Sequence, residues 1–512
     1  MPKIFSREDF SKSLYNCHNI IRDNDKLSPE AAFDEISKIL FIKIRKERDE
    51  VKSIYTKKVY DKEKASYNIN NKSLIDYYQQ LFNRIKEQYV SEGLFEPHER
   101  IRIRENSFEQ IIEELESFNL SKTSADIKGI AFEEFLGTTF RGELGQFFTP
   151  RSVVDFMVAV MDPQETDLVC DPCCGSGGFL IKAFQYVRDN ILKSKSLTKQ
   201  EKTNKTDYIA SHNLFGTDAN PRMARTAKMN MIMHGDGHSG IHHHDGLLNV
   251  NGIFEERFRV ILTNPPFGSH VSKTLLITED DRFTDEVMIA KYKELYGERY
   301  EVAMQQITKN INKPLLNLYH TGKMTGLTEV LFLERCLNLL EPGGRLGIVL
   351  PEGVMDGNKL HNVRQYIESR ARILFIVSLP EEVFMKSGAS IKPSILFLKK
   401  FTAKEQLAYD ETTRSVAEDV SANHSTELQG IREALLSAVT KEEKKQIQQR
   451  KKLLQQKMER EKELMLKERM NYDIPVAKVN KAGIGSRGEI VENELVDLAK
   501  EFAIYRKKVH LW

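Results

Sequence analysis

The sequence predicts an α/β protein whose mostly parallel sheet lies between an all-helical N-terminal domain and C-terminal helices. Three observations predict this class. Short apolar runs alternate with helical segments between residues 145 and 400, which is typical of βαβ units. Residues 1–125 are nearly free of glycine, and residues 441–469 contain neither glycine nor proline. We therefore divide the chain into a helical domain (1–125), a catalytic domain (126–400) and a C-terminal helical region for subunit assembly (401–512).

Composition and charge fit a globular protein of several domains. The chain has 512 residues, with 76 Lys and Arg against 74 Asp and Glu, so its net charge is +2. This balance argues against a uniformly basic coat but leaves room for local basic surfaces. The apolar runs are far shorter than the roughly 20 residues of a membrane helix. The polar N-terminus lacks a signal-peptide core, and five cysteines, an odd number, indicate free thiols in the cytoplasm.

The N-terminal 125 residues carry helix signals. Ser28 precedes Pro29, which predicts a helix start because the hydroxyl caps free N–H groups and proline suits the first turn. Apolar residues at positions 32, 36, 39 and 40 then follow helical spacing, and the Lys43 stem extends their stripe. Similar periodicity recurs over residues 74–89 and 108–118. These patterns favour an all-helical domain.

The middle region contains the predicted strands of the sheet. Six apolar runs have the length of strands: Leu168 to Asp171, Leu214 to Asp218, Phe258 to Thr263, Arg345 to Leu350, Ile373 to Leu379 and Ser394 to Lys399. Several end in a loop rich in Gly, Asp, Asn or Pro that leads into a helix. Such loops follow the strands of parallel sheets, where ligands commonly bind.

The C-terminal region is predicted to begin with a linker or irregular segment over residues 401–426. A long helix with a narrow apolar seam then follows from Lys441 to Arg469, with 11 Lys/Arg and 6 Glu, hence 11 − 6 = +5. This helix either faces a partner or nucleic acid, or is a solvated helix packed on its own domain. The pattern alone leaves both interpretations open.

A glycine-rich turn follows the first predicted strand of the sheet. Asp171 ends that strand, and Pro-Cys-Cys-Gly-Ser-Gly-Gly then leads to a helix that begins near Phe179. Glycines allow a ligand close to the backbone, and a helix N-terminus favours negative groups. The spacing matches neither the dinucleotide fingerprint nor a Walker loop. The turn indicates a nucleoside-bearing cofactor, and a tight strand-to-helix turn is the alternative.

A carboxylate ends the second strand as well. Asp218 can accept both ribose hydroxyls of an adenosine group, as in other doubly wound folds. The alternative is that Asp218 or Asn220 caps the helix that begins at Pro221. Asp245 follows a run of three histidines and is predicted to end a third strand.

The most specific motif is Asn264-Pro265-Pro266-Phe267, directly after the next strand. The Asn264 side-chain carbonyl and the Pro265 backbone carbonyl can each accept one N–H of a planar exocyclic amine. They would orient the nitrogen and support its developing positive charge during attack on a methyl sulfonium. The prolines stiffen the loop, and Phe267 offers a flat face for an extruded base. A rigid Pro-Pro turn without function is the alternative.

These motifs, in this order, resemble the amino-methylating DNA methyltransferases, most closely the modification subunit of type I restriction-modification systems. The resemblance implies a Rossmann-like, S-adenosylmethionine-dependent sheet with one antiparallel strand, contributed by the segment Ser390 to Leu398. It implies methylation of adenine N6 after base flipping. One departure is Cys173 beside Cys174, where the family usually has a smaller or hydroxyl residue before the second cysteine. We expect this departure to affect packing only.

The resemblance also assigns roles to individual residues. The residues implied to hold the methionine end of the cofactor are Gly145, Gln146, Phe147, Phe148, Thr149 and Pro150. The implied cofactor turn contains Asp171, Gly175, Ser176, Gly177 and Gly178. Asp218 matches the ribose-binding acid, and Asp245 matches a residue near the adenine of the cofactor. The implied catalytic loop is Asn264, Pro265, Pro266 and Phe267.

The partners implied by the resemblance are double-stranded DNA, a separate DNA specificity subunit and a second copy of the chain. A restriction subunit with nuclease or translocase activity is a further partner of such systems, and no membrane partner is implied. Two other functions remain as alternatives. An Asn-Pro-Pro loop also suits the methylation of a protein glutamine amide, and a cofactor-binding scaffold without turnover is the non-enzymatic alternative.

Two remaining features are open to other interpretations. Cys170, Cys173 and Cys174 resemble metal-ligand spacing beside crowded histidines, but they belong to a strand and its turn, so we expect no metal site. Residues 268–327 form a long connection after the catalytic loop. This segment is either a lid or phosphate contact that uses Lys309, Lys313 and Lys323, or an insertion ordered by a partner.

Overall fold

The computed structural model describes residues 6–70, 75–88, 94–95, 98–123, 125–139, 149–235, 240–249, 251–282, 286–385, 391–486 and 489–512. In this part of the chain, none of the helices combines the length and the apolar character that a membrane crossing requires.

The N-terminal part of the described chain is helical. Its helices are α1 (Arg7–Asp25), α2 (Pro29–Arg45), α3 (Lys57–Asn70), α4 (Tyr77–Gln88), α5 (Glu105–Glu114) and α6 (Ala125–Thr139), and a π-helical turn, Lys46–Glu50, continues α2. The predicted start of α2 is confirmed, because Ser28 is the N-cap and its side chain accepts the N–H of Ala31. A core of buried aromatic and aliphatic residues joins α1 to α6, and Met229 and Met233 from a later helix complete it.

The centre of the molecule is an eight-stranded sheet. Its strands are β1 (Val169–Asp171), β2 (Leu214–Asp218), β3 (Ile241–His243), β4 (Phe258–Thr263), β5 (Leu340–Pro351), β6 (Ala371–Ser378), β7 (Pro393–Lys400) and β8 (Val476–Lys478). Their spatial order is β3-β2-β1-β4-β5-β7-β6-β8. Strand β7 is antiparallel to both β5 and β6, and the other neighbouring pairs are parallel. The predicted fold class, with one antiparallel strand, is therefore confirmed.

Helices cover both faces of this sheet. Helix α7 (Arg151–Met161) precedes β1. The helices between β1 and β7 are α8 (Gly178–Lys193), α9 (Lys199–His212), α10 (Pro221–Met233), α11 (Glu286–Tyr296), α12 (Glu298–Asn310), α13 (Thr328–Leu339), α14 (Glu352–Asp356), α15 (His361–Glu368) and α16 (Glu382–Met385). In β4, Val260 and Leu262 lie in the core beneath α7 and α8, whereas Ile261 lies in the opposite core beneath α13 and α15. Burial of both faces explains the nearly continuous apolar runs of the strands.

The C-terminal part leaves the sheet and returns to it. It contains α17 (Ala403–Asn423), α18 (Ser425–Ser437), α19 (Lys441–Arg469), β9 (Ala482–Ile484), β10 (Ile490–Asn493) and α20 (Leu495–Lys508). Helix α19 has the predicted bounds. The prediction of a linker over residues 401–426 is wrong, because α17 fills most of it. Thr402 and Glu405 form a capping box at its start, and Val416 and Val420 are its buried residues.

The last segments complete the sheet that the middle region begins. Strand β8 pairs in parallel with β6, with Val476 opposite Ile376. Helix α20 packs on the same side as α7, where the rings of Phe502 and Phe375 stack with centroids 4.7 Å apart. The C-terminal region therefore supplies part of the core of the sheet, in addition to the helices α17–α19.

Candidate active site

The glycine-rich turn after β1 leaves an open face. Gly175 and Gly177 have positive φ angles of 52° and 82°, and Gly177 is the N-cap of α8. A Cβ atom placed on Gly175 or Gly178 would meet no atom of the described residues within 4 Å. A ligand therefore has room to approach the backbone of this turn, where the start of α8 presents free N–H groups.

Asp171 connects the turn to the loop after β4. Its side chain is 1% exposed, and Oδ1 accepts hydrogen bonds from the Thr263 hydroxyl at 2.7 Å and the Cys173 N–H at 3.2 Å. Burial raises the pKa of Asp171 to about 7, although both hydrogen bonds act in the opposite direction. The Cys173 thiol also lies 2.9 Å from the Thr263 hydroxyl. Thr263, which immediately precedes Asn264, thus connects the end of β1 to the loop after β4.

Asp218 binds the same turn from the other side. Its Oδ2 accepts the Gly175 N–H at 3.0 Å, and its Oδ1 accepts the Asn220 N–H at 2.8 Å. Burial raises the pKa of the Asp218 carboxyl. The helix cap considered as an alternative belongs to Asn220, whose side chain accepts the N–H groups of Arg222 and Met223. Asp218 is therefore placed to fix the turn and retains lone pairs for a further donor.

The two polar atoms of the Asn264 side chain differ in their hydrogen bonding. Its Nδ2 donates a hydrogen bond to the Thr149 hydroxyl at 3.0 Å. Its Oδ1 is buried and has no hydrogen-bond partner among the described residues. A buried carbonyl without a donor is unfavourable by about 1–3 kcal/mol, so such an atom is uncommon unless a ligand satisfies it. The side-chain amide therefore presents a free acceptor at the end of β4.

The turn and Asn264 share one cleft. Its lining residues are Thr149, Val154, Asp171, Cys173, Cys174, Gly175, Ser176, Gly178, Phe179 and Asn264. The structure thus brings together residues from the three predicted motifs. Thr149 and Pro150 lie at the start of α7, whereas Gly145, Gln146, Phe147 and Phe148 lie outside the described residues. Across the described ranges, no three His, Cys, Asp or Glu side chains are grouped as metal ligands.

The other predicted residues lie around this cleft, outside its lining. The Phe267 ring is 9% exposed and meets the Phe384 ring edge-on, with centroids 5.9 Å apart. Pro265 is buried and Pro266 is exposed. Asp245 lies two residues beyond β3, where its Oδ1 accepts the Leu247 N–H at 2.9 Å and burial raises its pKa.

Three supporting residues were not found from the sequence. Thr263 is one, although its place at the end of β4 beside Asn264 was a usable signal. Arg335, 1% exposed on α13, donates to the backbone oxygens of Gly246, Leu248 and Ile253 after β3. A single arginine within an apolar helix was the signal for this contact. Tyr319 donates its hydroxyl hydrogen to the Leu247 oxygen, and no local pattern indicated it.

Comparisons with known proteins agree with this arrangement. The family model described as N-6 DNA Methylase matches residues 123–297 and 296–464. The chain is similar to the methylase subunit of the type I restriction enzyme EcoEI from Escherichia coli, with 29% identity over 295 residues. That match covers 57% of this chain and 50% of the relative. It is also similar to the EcoKI methylase subunit of Escherichia coli strain K12, with 26% identity, covering 50% of this chain and 41% of the relative.

A solved structure supports the fold alone. The modification subunit of a type I restriction enzyme from Vibrio vulnificus YJ016 superposes with a TM-score of 0.50 and 17% identity, over 79% of this chain and 89% of that chain. The present chain spans about half the length of the curated relatives named above. The family model nevertheless matches more than half of the chain. The chain therefore belongs to the N-6 DNA methylase family.

Proposed function

We propose that this chain transfers a methyl group from S-adenosylmethionine to the N6 amine of a flipped adenine in double-stranded DNA. The observation that carries the proposal is the Oδ1 atom of Asn264, which is buried and lacks a hydrogen-bond partner in the described part of the chain. An exocyclic amine has the N–H groups that would satisfy this acceptor. Membership in the N-6 DNA methylase family supports adenine as the amine.

The residues around the turn fit S-adenosylmethionine. Gly175 and Gly178 leave open space beside the backbone, and the N-terminus of α8 suits a carboxylate. Asp218 fixes the turn and has lone pairs left for ribose hydroxyls. We propose Asp245, at the end of the neighbouring strand β3, as the residue near the adenine of the cofactor. When bound, the cofactor supplies an electrophilic methyl group on a positively charged sulfonium.

The residues of the catalytic loop act on the amine. The Asn264 Oδ1 atom and the Pro265 carbonyl oxygen each accept one N–H, so the nitrogen lone pair is directed away from the loop. Both oxygens support the positive charge that develops on nitrogen during the transfer. Orientation of this kind lowers the barrier because the reacting atoms are held in place. The mechanism needs no nucleophile from the protein and therefore forms no covalent enzyme intermediate.

Phe267 and the proline pair complete the pocket for the base. We propose that the flipped adenine stacks on Phe267, while the contact of that ring with Phe384 keeps its orientation fixed. Pro266 is the exposed residue of the loop and therefore lies nearest to entering DNA. The small net charge of +2 supports weak, salt-sensitive DNA binding by this chain alone.

We propose that sequence specificity comes from a separate subunit. The specificity subunit and two copies of this chain form the proposed complex, and a restriction subunit is a further partner.

The helices α17–α19 are the proposed contact surface for these subunits. Residues 441–457 of α19 hold seven Lys or Arg and two Glu, so 7 − 2 = +5, whereas residues 459–469 hold four of each. Two of the four glutamates of the second half contact histidines outside α19, Glu461 with His424 and Glu463 with His361. The basic half is mostly exposed and suits an acidic partner.

A tritiated-methyl assay tests the reaction. Labelled S-adenosylmethionine is incubated with the chain, the candidate specificity subunit, and either DNA or a protein extract. We expect label in DNA, recovered as N6-methyladenine, and loss of that label with Asn264→Ala. Asn204→Ala, on the surface of α9, is the matched control and should retain activity. Label in protein, or no label in either fraction, would contradict the proposal.

The same assay tests whether recognition of the DNA sequence depends on the separate specificity subunit. We expect efficient methylation of a defined sequence only when the specificity subunit is present. If the purified chain alone methylates a defined site efficiently, the chain recognises its own sequence, and the proposal of a separate specificity subunit is wrong.

A further inference from the structure

We infer that Thr149 is a positioning residue for methyl transfer, because its hydroxyl holds the side-chain amide of Asn264 in the reactive orientation. This inference rests on the proposed function and assigns Thr149 a role beyond contact with the cofactor. The supporting geometry is the hydrogen bond from Asn264 Nδ2 to Thr149 Oγ1 at 3.0 Å, combined with the unpartnered Oδ1 of the same amide.

An asparagine amide can present either its oxygen or its NH₂ group to a ligand. The two orientations differ by a rotation of about 180°, and they have opposite chemistry. The oxygen accepts an N–H of the amine, whereas the NH₂ group would place its own N–H donors against those of the amine. In the structure the Thr149 hydroxyl oxygen accepts Nδ2, and in this orientation Oδ1 is left to accept from the amine. The contact with Thr149 thereby holds the amide with Oδ1 available to the amine before DNA arrives.

Thr149 can do this because its backbone is held firmly. Pro150 is the N-cap of α7, and its carbonyl oxygen accepts the N–H groups of Val153 and Val154 at 3.0 Å each. The next residue, Arg151, forms an ion pair with Glu133 of α6. Helix α7 itself is packed into the main core through Val153 and Met157, both 0% exposed. A hydroxyl at the start of a fixed helix therefore sets the position of a side chain 115 residues later in the chain.

The contact also connects two motifs with different proposed tasks. Thr149 lies in the segment proposed to hold the cofactor, and Asn264 begins the loop proposed to hold the base. Asn264 is also constrained from its other side, because the preceding Thr263 donates to Asp171 at 2.7 Å. The Asn264 amide is therefore held by Thr149, and the residue before it is held by Asp171.

Variants of Thr149 test this inference. Thr149→Val removes the hydroxyl with little change in volume, Thr149→Ala removes the same oxygen without adding a methyl group, and Thr149→Ser retains it. The matched control is Thr203→Val on α9, where the hydroxyl donates to the backbone of its own helix. Cofactor affinity is measured by calorimetry without DNA, and kcat and KM are measured with DNA and the specificity subunit. Circular dichroism selects the variants that fold.

We expect kcat to fall about tenfold with Val and Ala, which corresponds to the net value of about one hydrogen bond. The fall in kcat should persist at saturating cofactor, whatever the change in cofactor affinity, and Thr149→Ser should restore kcat to within about threefold. An unchanged kcat at saturation, or a loss confined to cofactor affinity, would overturn the inference and leave the proposed function intact. Absence of DNA methylation by the wild-type chain with its specificity subunit would instead refute the proposed function, and this inference with it.

Discussion

Replacing Lys43 by methionine should destabilise the N-terminal helices strongly. The Lys43 ammonium lies 2.7 Å from a Glu47 oxygen, and both side chains are 0% exposed. It also donates to the Tyr55 carbonyl oxygen at 2.8 Å. Glu47 accepts the N–H groups of Tyr55 and Ser121 at 3.0 and 3.1 Å, so its carboxylate is held in place when Lys43 is absent. The variant therefore leaves a buried carboxylate that has lost its direct ion-pair partner.

The size of the effect follows from this burial. Removing one partner of a buried ion pair costs about 3–5 kcal/mol, and methionine fills most of the volume of the lysine stem. We expect a loss of about 4 kcal/mol in the local unfolding free energy of α2. Amide hydrogen exchange of peptides from α2, followed by mass spectrometry, should then accelerate by up to about a thousandfold, at 1.4 kcal/mol per factor of ten.

A matched ion pair on the surface separates the effect of burial from the effect of losing an ion pair. Lys500 lies 2.8 Å from Asp497, but the side chains are 70% and 78% exposed. Lys500→Met should change exchange in α20 by less than about fivefold, because exposed pairs contribute about 0–1 kcal/mol. The double variant Lys43→Met/Glu47→Gln should recover part of the loss because it removes the orphaned charge. A loss below about 1 kcal/mol for Lys43→Met, or equal losses for the two lysines, would refute the reasoning.

Three further predictions follow from the structure. Lys128 is 7% exposed and burial lowers its pKa to about 8, so folding stability should rise as pH rises from 8 toward 10.5; in urea titrations, the free energy of unfolding of Lys128→Met relative to wild type should be about 2 kcal/mol more favourable at pH 7 than at pH 10. Arg335→Lys replaces the several donors of the guanidinium by one ammonium, so the contacts to the segment after β3 are partly lost. Hydrogen exchange over residues 246–253 should then accelerate about tenfold or more, and calorimetry should show weaker binding of S-adenosylmethionine. Gly246→Ala places a Cβ 1.8 Å from the Pro172 carbonyl oxygen, so a cofactor titration should show no binding and a thermal melt a lower transition temperature.

Each of these predictions has an outcome that would contradict it. A pH-independent difference between Lys128→Met and wild type would mean that the lysine is solvated in the folded chain. Unchanged exchange in Arg335→Lys would show that other contacts hold the segment after β3. Normal cofactor binding by Gly246→Ala would show that the turn after β1 can move away from β3.

The sequence predicted those strands whose signals are local. Strands β2 and β4 have the predicted bounds, because each is a continuous apolar run followed directly by a loop motif. Strand β8 was not predicted, since Val476, Ala477 and Lys478 show no strand pattern and their pairing with β6 depends on the path of the chain. Helix α17 was missed for a related reason, because its long exposed face gives little apolar periodicity.

For the site, too, the sequence predicted the positions of the residues but not the contacts that orient them. The residues Asp171, Asp218 and Asn264 stand at strand ends, so the topology of a parallel sheet places them at one edge. The contacts that orient them are long-range, as with Thr149 and Asn264, or Asp171 and Thr263. Sequence spacing contains no information on such contacts, because they depend on which rotamers the folded core allows.

The helices α17–α19 leave and rejoin the sheet at nearly the same place. The Phe401 N–H donates to the Arg370 oxygen, and the Tyr472 hydroxyl accepts the N–H of Ile373, so the two ends of the excursion meet within three residues of one strand. Segments with adjacent ends can be exchanged or excised with a short linker at small entropic cost. We therefore predict that residues 403–470 can be replaced by a short linker without loss of the sheet, which would allow the proposed chemistry to be studied apart from the proposed assembly.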